Sequence, residues 1–322
     1  MKRMFARAAA TGLLAAGLLT AGLFAAAPAA AQDKLTVMLD WFVNPDHAPL
    51  VVAQEKGFFK DAGLAVTLTA PADPNDPPKL VAAGGADLAV SYQPQLILQV
   101  AEGLPLVRVG TLVSTPLNAV VTLRDGPVKT LKDLKGRKVG FSIAGFEDAL
   151  LGAMLEKQGL SLKDVELVNV NFSLSPSLLS GQVDAVVGAF RNFELNQMAI
   201  EKHPGRAFFP EEEGVPPYDE LIIVAHKDKT GDGRIKRFLD AVERATLYLL
   251  NHPEEAQAAF VKDRPELNDE LNRRAWADTL PRFSHSPAAL DGARYIRFAE
   301  FLKARGLIKA VEPLDHYAVV VK

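Results

Sequence analysis

Between Asp40 and His47 the chain Leu39-Asp40-Trp41-Phe42-Val43-Asn44-Pro45-Asp46-His47-Ala48-Pro49-Leu50 gathers acids, an indole, an amide and an imidazole. Side chains of these types stack on a flat ring and hydrogen-bond to its edge. The apolar run Leu35–Leu39 reads as a strand that ends in a polar, Pro-containing turn, and a helix-like segment starts near His47. Trp41 then lies at the end of the first strand of an α/β unit, where such folds bind small molecules.

The elements that must position these residues form a weak internal repeat. Val81-Ala82-Ala83-Gly84-Gly85-Ala86-Asp87-Leu88-Ala89-Val90 matches Leu178-Leu179-Ser180-Gly181-Gln182-Val183-Asp184-Ala185-Val186-Val187: helix end, Gly, turn, Asp, buried strand. The Gly suits the left-handed residue after a helix. Gly57–Leu68 and Leu155–Val170 read as helix, Gly-Leu turn and strand, and Lys34–Asp40 and Arg137–Ser142 are strands leading into polar turns. The order β-α-β-α-β, met twice, predicts parallel sheets. Crossovers between two lobes are expected near Leu123–Asp125 and Leu221–Ala225, forming a hinge. The expected division is 32–123 with 222–322 as lobe one and 124–221 as lobe two. Arg234–Leu250 and Pro287–Arg305 read as helices, the first with Ile235, Phe238, Leu239, Val242, Ala245 and Leu249 on one face.

Ligands of such sheets bind beyond the carboxyl ends of the strands. Those ends are Asp40–His47, Pro71–Asn75, Ser91–Gln95 and Ser114–Thr115 in one lobe, and Ser142–Glu147, Asn171–Ser175 and Phe190–Glu194 in the other. Trp41 and Tyr92 would face Phe146 and Phe190 and sandwich a planar heterocycle, the competing reading for each ring being plain core. Glu147 and Glu194 would accept hydrogen bonds from an aminopyrimidine, or stand as solvated carboxylates at helix starts. Asn44, Ser91, Gln93, Thr115, Ser142 and Asn192 are hydrogen-bonders that either cap turns or touch ligand. Asp40 and His47 complete the first loop, and Arg191 reads as a surface or hinge cation.

Composition narrows the function. Lys2, Arg3 and Arg7, the apolar stretch Gly12 to Ala27, and Ala29-Ala30-Ala31 before Gln32 predict a secretion signal over residues 1–31. Removing it takes the formal charge from −3 to −6 and leaves 291 residues, long enough for two lobes, with no case for nucleic acid. The chain has no cysteine, which excludes disulfides, thiolate metal sites, cysteine catalysis and a lipidated N-terminal Cys. No two of the six His have close metal-ligand spacing, and no G-x-S-x-G or P-loop pattern occurs, so neither metal nor cofactor is expected.

These segments resemble the periplasmic substrate-binding proteins of ABC importers, and within them the family of thiamine pyrimidine-precursor binders related to the fungal pyrimidine-precursor synthases. The carriers are Leu39–Phe42 with Pro45–Pro49, Ala53–Phe59, Ser91-Tyr92-Gln93-Pro94, Leu134–Gly140 and Gly188–Glu194. The resemblance implies a type II two-lobed α/β binding fold and a monomeric periplasmic receptor. It also implies a formylaminopyrimidine or hydroxymethylpyrimidine ligand, with a permease and an ATPase as partners. Leu134-Lys135-Gly136-Arg137-Lys138-Val139-Gly140 is shared with relatives that bind nitrate or sulfonates, and a riboflavin-like ring is a further alternative. The synthases, which resemble this chain at Trp41 and His47, carry pyridoxal phosphate on a Lys where this chain has Ser91, and a Cys-rich segment it lacks. That departure points to binding, not catalysis.

Overall fold

Ten strands form two five-stranded sheets in the computed structural model, which describes residues 31–321. The expected signal segment, but for Ala31, lies outside the described residues. In chain order the first sheet receives β1 (Asp33–Met38), β2 (Leu64–Thr69), β3 (Leu88–Ser91) and β4 (Leu106–Val113). The second receives β5 (Asn118–Leu123), β6 (Lys138–Phe141), β7 (Glu166–Asn169), β8 (Ala185–Phe190) and β9 (Gly205–Phe208). Then β10 (Leu221–His226) returns to the first. The helices are α1 (Ala48–Glu55), α2 (Phe58–Asp61), α3 (Pro77–Ala82), α4 (Gln93–Ala101), α5 (Phe146–Glu156), α6 (Leu174–Leu179), α7 (Glu194–Ile200), α8 (Gly233–Asn251), α9 (Pro253–Val261), α10 (Glu270–Thr279) and α11 (Gly292–Ala304).

The repeat reappears as topology. Strand order is β2-β1-β3-β10-β4 in one sheet and β7-β6-β8-β5-β9 in the other. Within each, the first three strands of the repeat pair parallel, with the first of them in the middle. Gly84 and Gly181 end the corresponding helices at φ +75° and +74°, the left-handed conformation expected of them.

Two expectations are corrected. The sheets are mixed rather than parallel: β10 runs antiparallel to β3 and β4, and β5 antiparallel to β8 and β9. The odd strand in each sheet is the one that arrives from the other lobe. The chain leaves the first sheet at the carboxyl end of β4, so β5 enters the second sheet from the facing ends and runs against its neighbours. The return through β10 repeats this. The second correction follows from the first. The chain changes sheets at 114–117 and 209–220, not near Leu123–Asp125, and Asn118–Leu123 pairs in the second sheet, not the first. Leu221–Ala225 lies within the returning strand itself.

Arg294 of α11 ties both connections together, donating to the Ser114 carbonyl at 2.6 Å and to the Asp219 carboxylate. Glu220 accepts from the Leu117 and Asn118 amides at 2.6 and 3.0 Å. The core follows the apolar pattern. β3 and most of β10 are buried, and the α8 face picked out by periodicity is buried throughout. Each large side chain so buried contributes roughly 1.5–3 kcal/mol. His252 alone separates α8 from α9, with Pro253 starting α9, while the helix expected from Pro287 begins later, at Gly292. No helix among the described residues is long and apolar enough to cross a membrane.

Candidate functional site

Where the carboxyl ends of the two sheets meet, a cleft is lined from both lobes. From the first come Asp40, Trp41, Asn44, Asp46 and Tyr92, and from the second Ile143, Phe146, Glu147, Leu174, Gly188, Phe190, Phe193 and Glu194.

The first loop is held by its own polar side chains. Asn44 precedes a short 3₁₀ turn, Pro45–His47, and its side chain accepts from the Asp46 amide at 2.8 Å. The Asn44 amide N–H points at His47 Nδ1, 3.3 Å away, so Nδ1 accepts and Nε2 carries the proton. Nε2 donates to Asp40 Oδ1 at 2.8 Å, and the Tyr92 hydroxyl donates to Asp40 Oδ2 at 2.7 Å. Asp40 is thereby fixed beside the Trp41 backbone. His47 is fully buried behind it and serves the loop rather than the cleft surface.

Glu147 and Glu194 do start helices, but they are buried, not solvated, and both face the cleft. Glu147 Oε2 accepts from the Ser142 amide at 2.7 Å, and Glu194 Oε2 from the Phe190 amide at 2.6 Å. Burial pushes Glu147 up to about 8 and Glu194 up to about 7, against those amide bonds. Burial also raises Asp46 to about 6, against hydrogen bonds from Asn192 and Thr279. Gly188 makes room for Glu147. Its φ is +98°, and a Cβ there would lie 2.7 Å from Glu147 Oε2. The lining thus carries four carboxyls and no Lys or Arg.

The aromatic arrangement differs from a simple sandwich. Tyr92 stacks directly on Phe146 of the opposite lobe, centroids 4.9 Å apart and planes at 21°, which leaves no gap for a third ring between them. Trp41 meets Phe172, also across the cleft, edge-on at 4.5 Å, and Phe42 lies near Phe172 and Phe193 at the same rim. Asn75 adds polar bridges, donating to the Ser142 carbonyl and accepting from the Ala144 amide, both at 3.1 Å.

Of the residues singled out from sequence, Asp40, Trp41, Asn44, Tyr92, Phe146, Glu147, Phe190 and Glu194 converge on the cleft. The others are not in its lining. Ser91 is buried and donates to Gln95, and Gln93 accepts from the Asp219 amide near the crossover. Thr115 is exposed on a crossover, within reach of Arg282. Ser142 bonds the Asn171 carbonyl, and Asn192 bonds Asp46 across the cleft. Arg191 is a hinge cation, paired with Glu211 at 2.6 Å and bonded to the Leu117 and Asn118 carbonyls. Asp46, Ile143, Leu174 and Phe193 lie inside the strand-end loops named from sequence but were not singled out within them, and Gly188, inside a quoted motif, lay outside those loops.

The chain is 60% identical to a Haemophilus influenzae protein whose name assigns it to thiamine biosynthesis, over 92% of this chain and 94% of that one. It is 35% identical to the formylaminopyrimidine-binding protein of Halalkalibacterium halodurans, over 78% of this chain and 76% of the relative. A Schizosaccharomyces pombe 4-amino-5-hydroxymethyl-2-methylpyrimidine phosphate synthase is 25% identical over 79% and 76% of the two chains. In fold, the chain superposes on a Candida albicans protein with the generic periplasmic binding protein fold (TM-score 0.70, 19% identity, 90% and 97% of the two chains covered). It likewise matches the alkanesulfonate-binding protein SsuA of Xanthomonas axonopodis (TM-score 0.68, 17% identity, 91% and 98% covered). The fold is therefore the two-lobed α/β periplasmic-binding-protein fold of type II. The family model described as NMT1/THI5 like matches residues 44–256, and the chain belongs to that family.

Proposed function

We propose that this protein is the extracytoplasmic receptor of an ABC importer and binds a thiamine pyrimidine precursor between its lobes. The ligand is a formylaminomethyl-aminopyrimidine or hydroxymethylpyrimidine, and a permease and an ATPase complete the importer. The observation that carries the reading is the lining: aromatic rings, four carboxyls and no basic side chain. An aminopyrimidine presents an exocyclic amine beside a ring nitrogen. A carboxyl group with one oxygen already held by a backbone amide, as in Glu194, keeps its other oxygen for such an edge. Sulfonates and nitrate need Arg, Lys or free amides instead. The relative named for formylaminopyrimidine binding supports the same ligand class.

Catalysis by a bound pyridoxal phosphate would need a lysine in the cleft. The position matched to the synthases' Lys is Ser91, buried and bonded to Gln95 at 3.0 Å. The protein binds without chemistry and then closes about its crossovers. Thermal-shift screening of the mature protein against formylaminopyrimidine, hydroxymethylpyrimidine, thiamine, riboflavin, nitrate and taurine tests it. A pyrimidine should raise Tm and the anions should not. A shift by taurine or nitrate with none by pyrimidines would reject it.

A further inference from the structure

Asp46 lines the cleft from one lobe and Asn192 meets it from the other. Asp46 Oδ1 accepts from Asn192 Nδ2 at 2.6 Å and from the Thr279 hydroxyl at 3.1 Å. The remaining atoms of the pair, Asp46 Oδ2 and Asn192 Oδ1, are both buried acceptors without a hydrogen-bond partner among the described residues. Two orphaned oxygens at one interlobe contact would each leave their desolvation uncompensated. One proton on Asp46 Oδ2, donated to Asn192 Oδ1, would satisfy both. A carboxylic acid and a carboxamide form a two-bond ring, with the amide N–H donating to one carboxyl oxygen and the acid O–H donating to the amide oxygen.

We propose that Asp46 is a positioning residue that locks the lobes shut as a protonated acid paired with Asn192, so that closure takes up a proton. When the lobes part, Asn192 leaves and water reaches Oδ2. The carboxyl group then returns towards its ordinary acidity and releases the proton. The other groups facing Asp46 are His47 and Asp40 on its own segment, Glu194 of α7, and Arg282 beyond α10. Burial is the largest influence on Asp46, and it raises the closed-state value to about 6. The sign follows: a group whose closed-state value is raised favours closure at low pH, and loses that contribution as pH rises through about 6.

The inference rests on the hinge-closing reading, but its test needs no ligand, so failure of a pyrimidine to bind leaves it standing. The chain has no cysteine, so spin labels can be placed cleanly at K79C and S173C, exposed positions on opposite lobes. Pulsed dipolar spectroscopy of the ligand-free protein then reads the closed-to-open ratio. With an open-state value near that of free Asp, the Asp46 contribution is about tenfold between pH 5 and pH 8. In Asp46→Asn two amides form the same ring at any pH, and the tenfold factor should vanish. Glu147, Glu194 and Glu220 titrate in both proteins, so the measure is the difference between them. An equal pH response in the parent and in Asp46→Asn would overturn the proposal. So would a parent whose ratio is the same at pH 5 and pH 8.

Discussion

Replacing Gly188 by Ala probes the carboxyl site at its tightest point. The backbone there has φ +98°, and forcing Ala into left-handed geometry costs about 1–2 kcal/mol. The new methyl would also collide with the Glu147 carboxyl group, 2.7 Å from Oε2, and displace it from its 2.7 Å bond to the Ser142 amide. Losing that buried bond adds about 1–3 kcal/mol, for a total of roughly 2–5 kcal/mol. Gly181→Ala is the control. It has φ +74° with nothing within 4 Å of the added Cβ, so only the backbone cost applies. Urea unfolding should therefore show Gly188→Ala clearly below Gly181→Ala. In a Glu147→Ala background the two should become alike, since the colliding group is gone. Equal losses in the parent background would refute the argument that Gly188 exists to admit Glu147.

Trp41→Ala should leave unfolding nearly unchanged and weaken pyrimidine binding by about two decades or more, as read by calorimetry. An unfolded variant would instead assign Trp41 to the core. Glu147 and Glu194 sit at about 8 and 7, above their unfolded values, so their contribution is complete at low pH and is lost as pH rises through 7 to 8. Urea midpoints should accordingly fall between pH 6 and pH 9, and Glu147→Gln should flatten that fall. Arg294→Ala leaves the buried Asp219 carboxylate without its cation and frees the Ser114 carbonyl. It should lower stability by about 2 kcal/mol or more; a neutral result would remove Arg294 from the hinge.

What the sequence revealed was governed by locality. Helix ends at Gly84 and Gly181, the buried strands around Val90 and Val187, and the α8 stripe from Ile235 to Leu249 are set by neighbours in the chain. Each was readable. The direction of β5 and β10 was not, because it depends on the chain entering each sheet from the facing side. Nothing in the apolar run Asn118–Leu123 records that. The cleft shows the same divide. Trp41, Tyr92, Glu147 and Glu194 were found because strand ends announce a ligand face. The pairing of Asp46 with Asn192 was not readable, because the two are 146 positions apart. Thr115 and Gln93 were included because proximity in sequence to a strand end does not say which way a side chain turns. The stacking of Tyr92 on Phe146 is a contact between lobes and has no local signature.

On the proposed function, the acidic, aromatic cleft holds a pyrimidine precursor from both lobes at once. Calorimetric titration of the protein with formylaminomethyl-aminopyrimidine tests this. Saturable one-to-one binding is expected, lost in Trp41→Ala on one lobe and in Glu194→Gln on the other. Heat of binding that survives both substitutions, or none from any pyrimidine while a sulfonate binds, would contradict it.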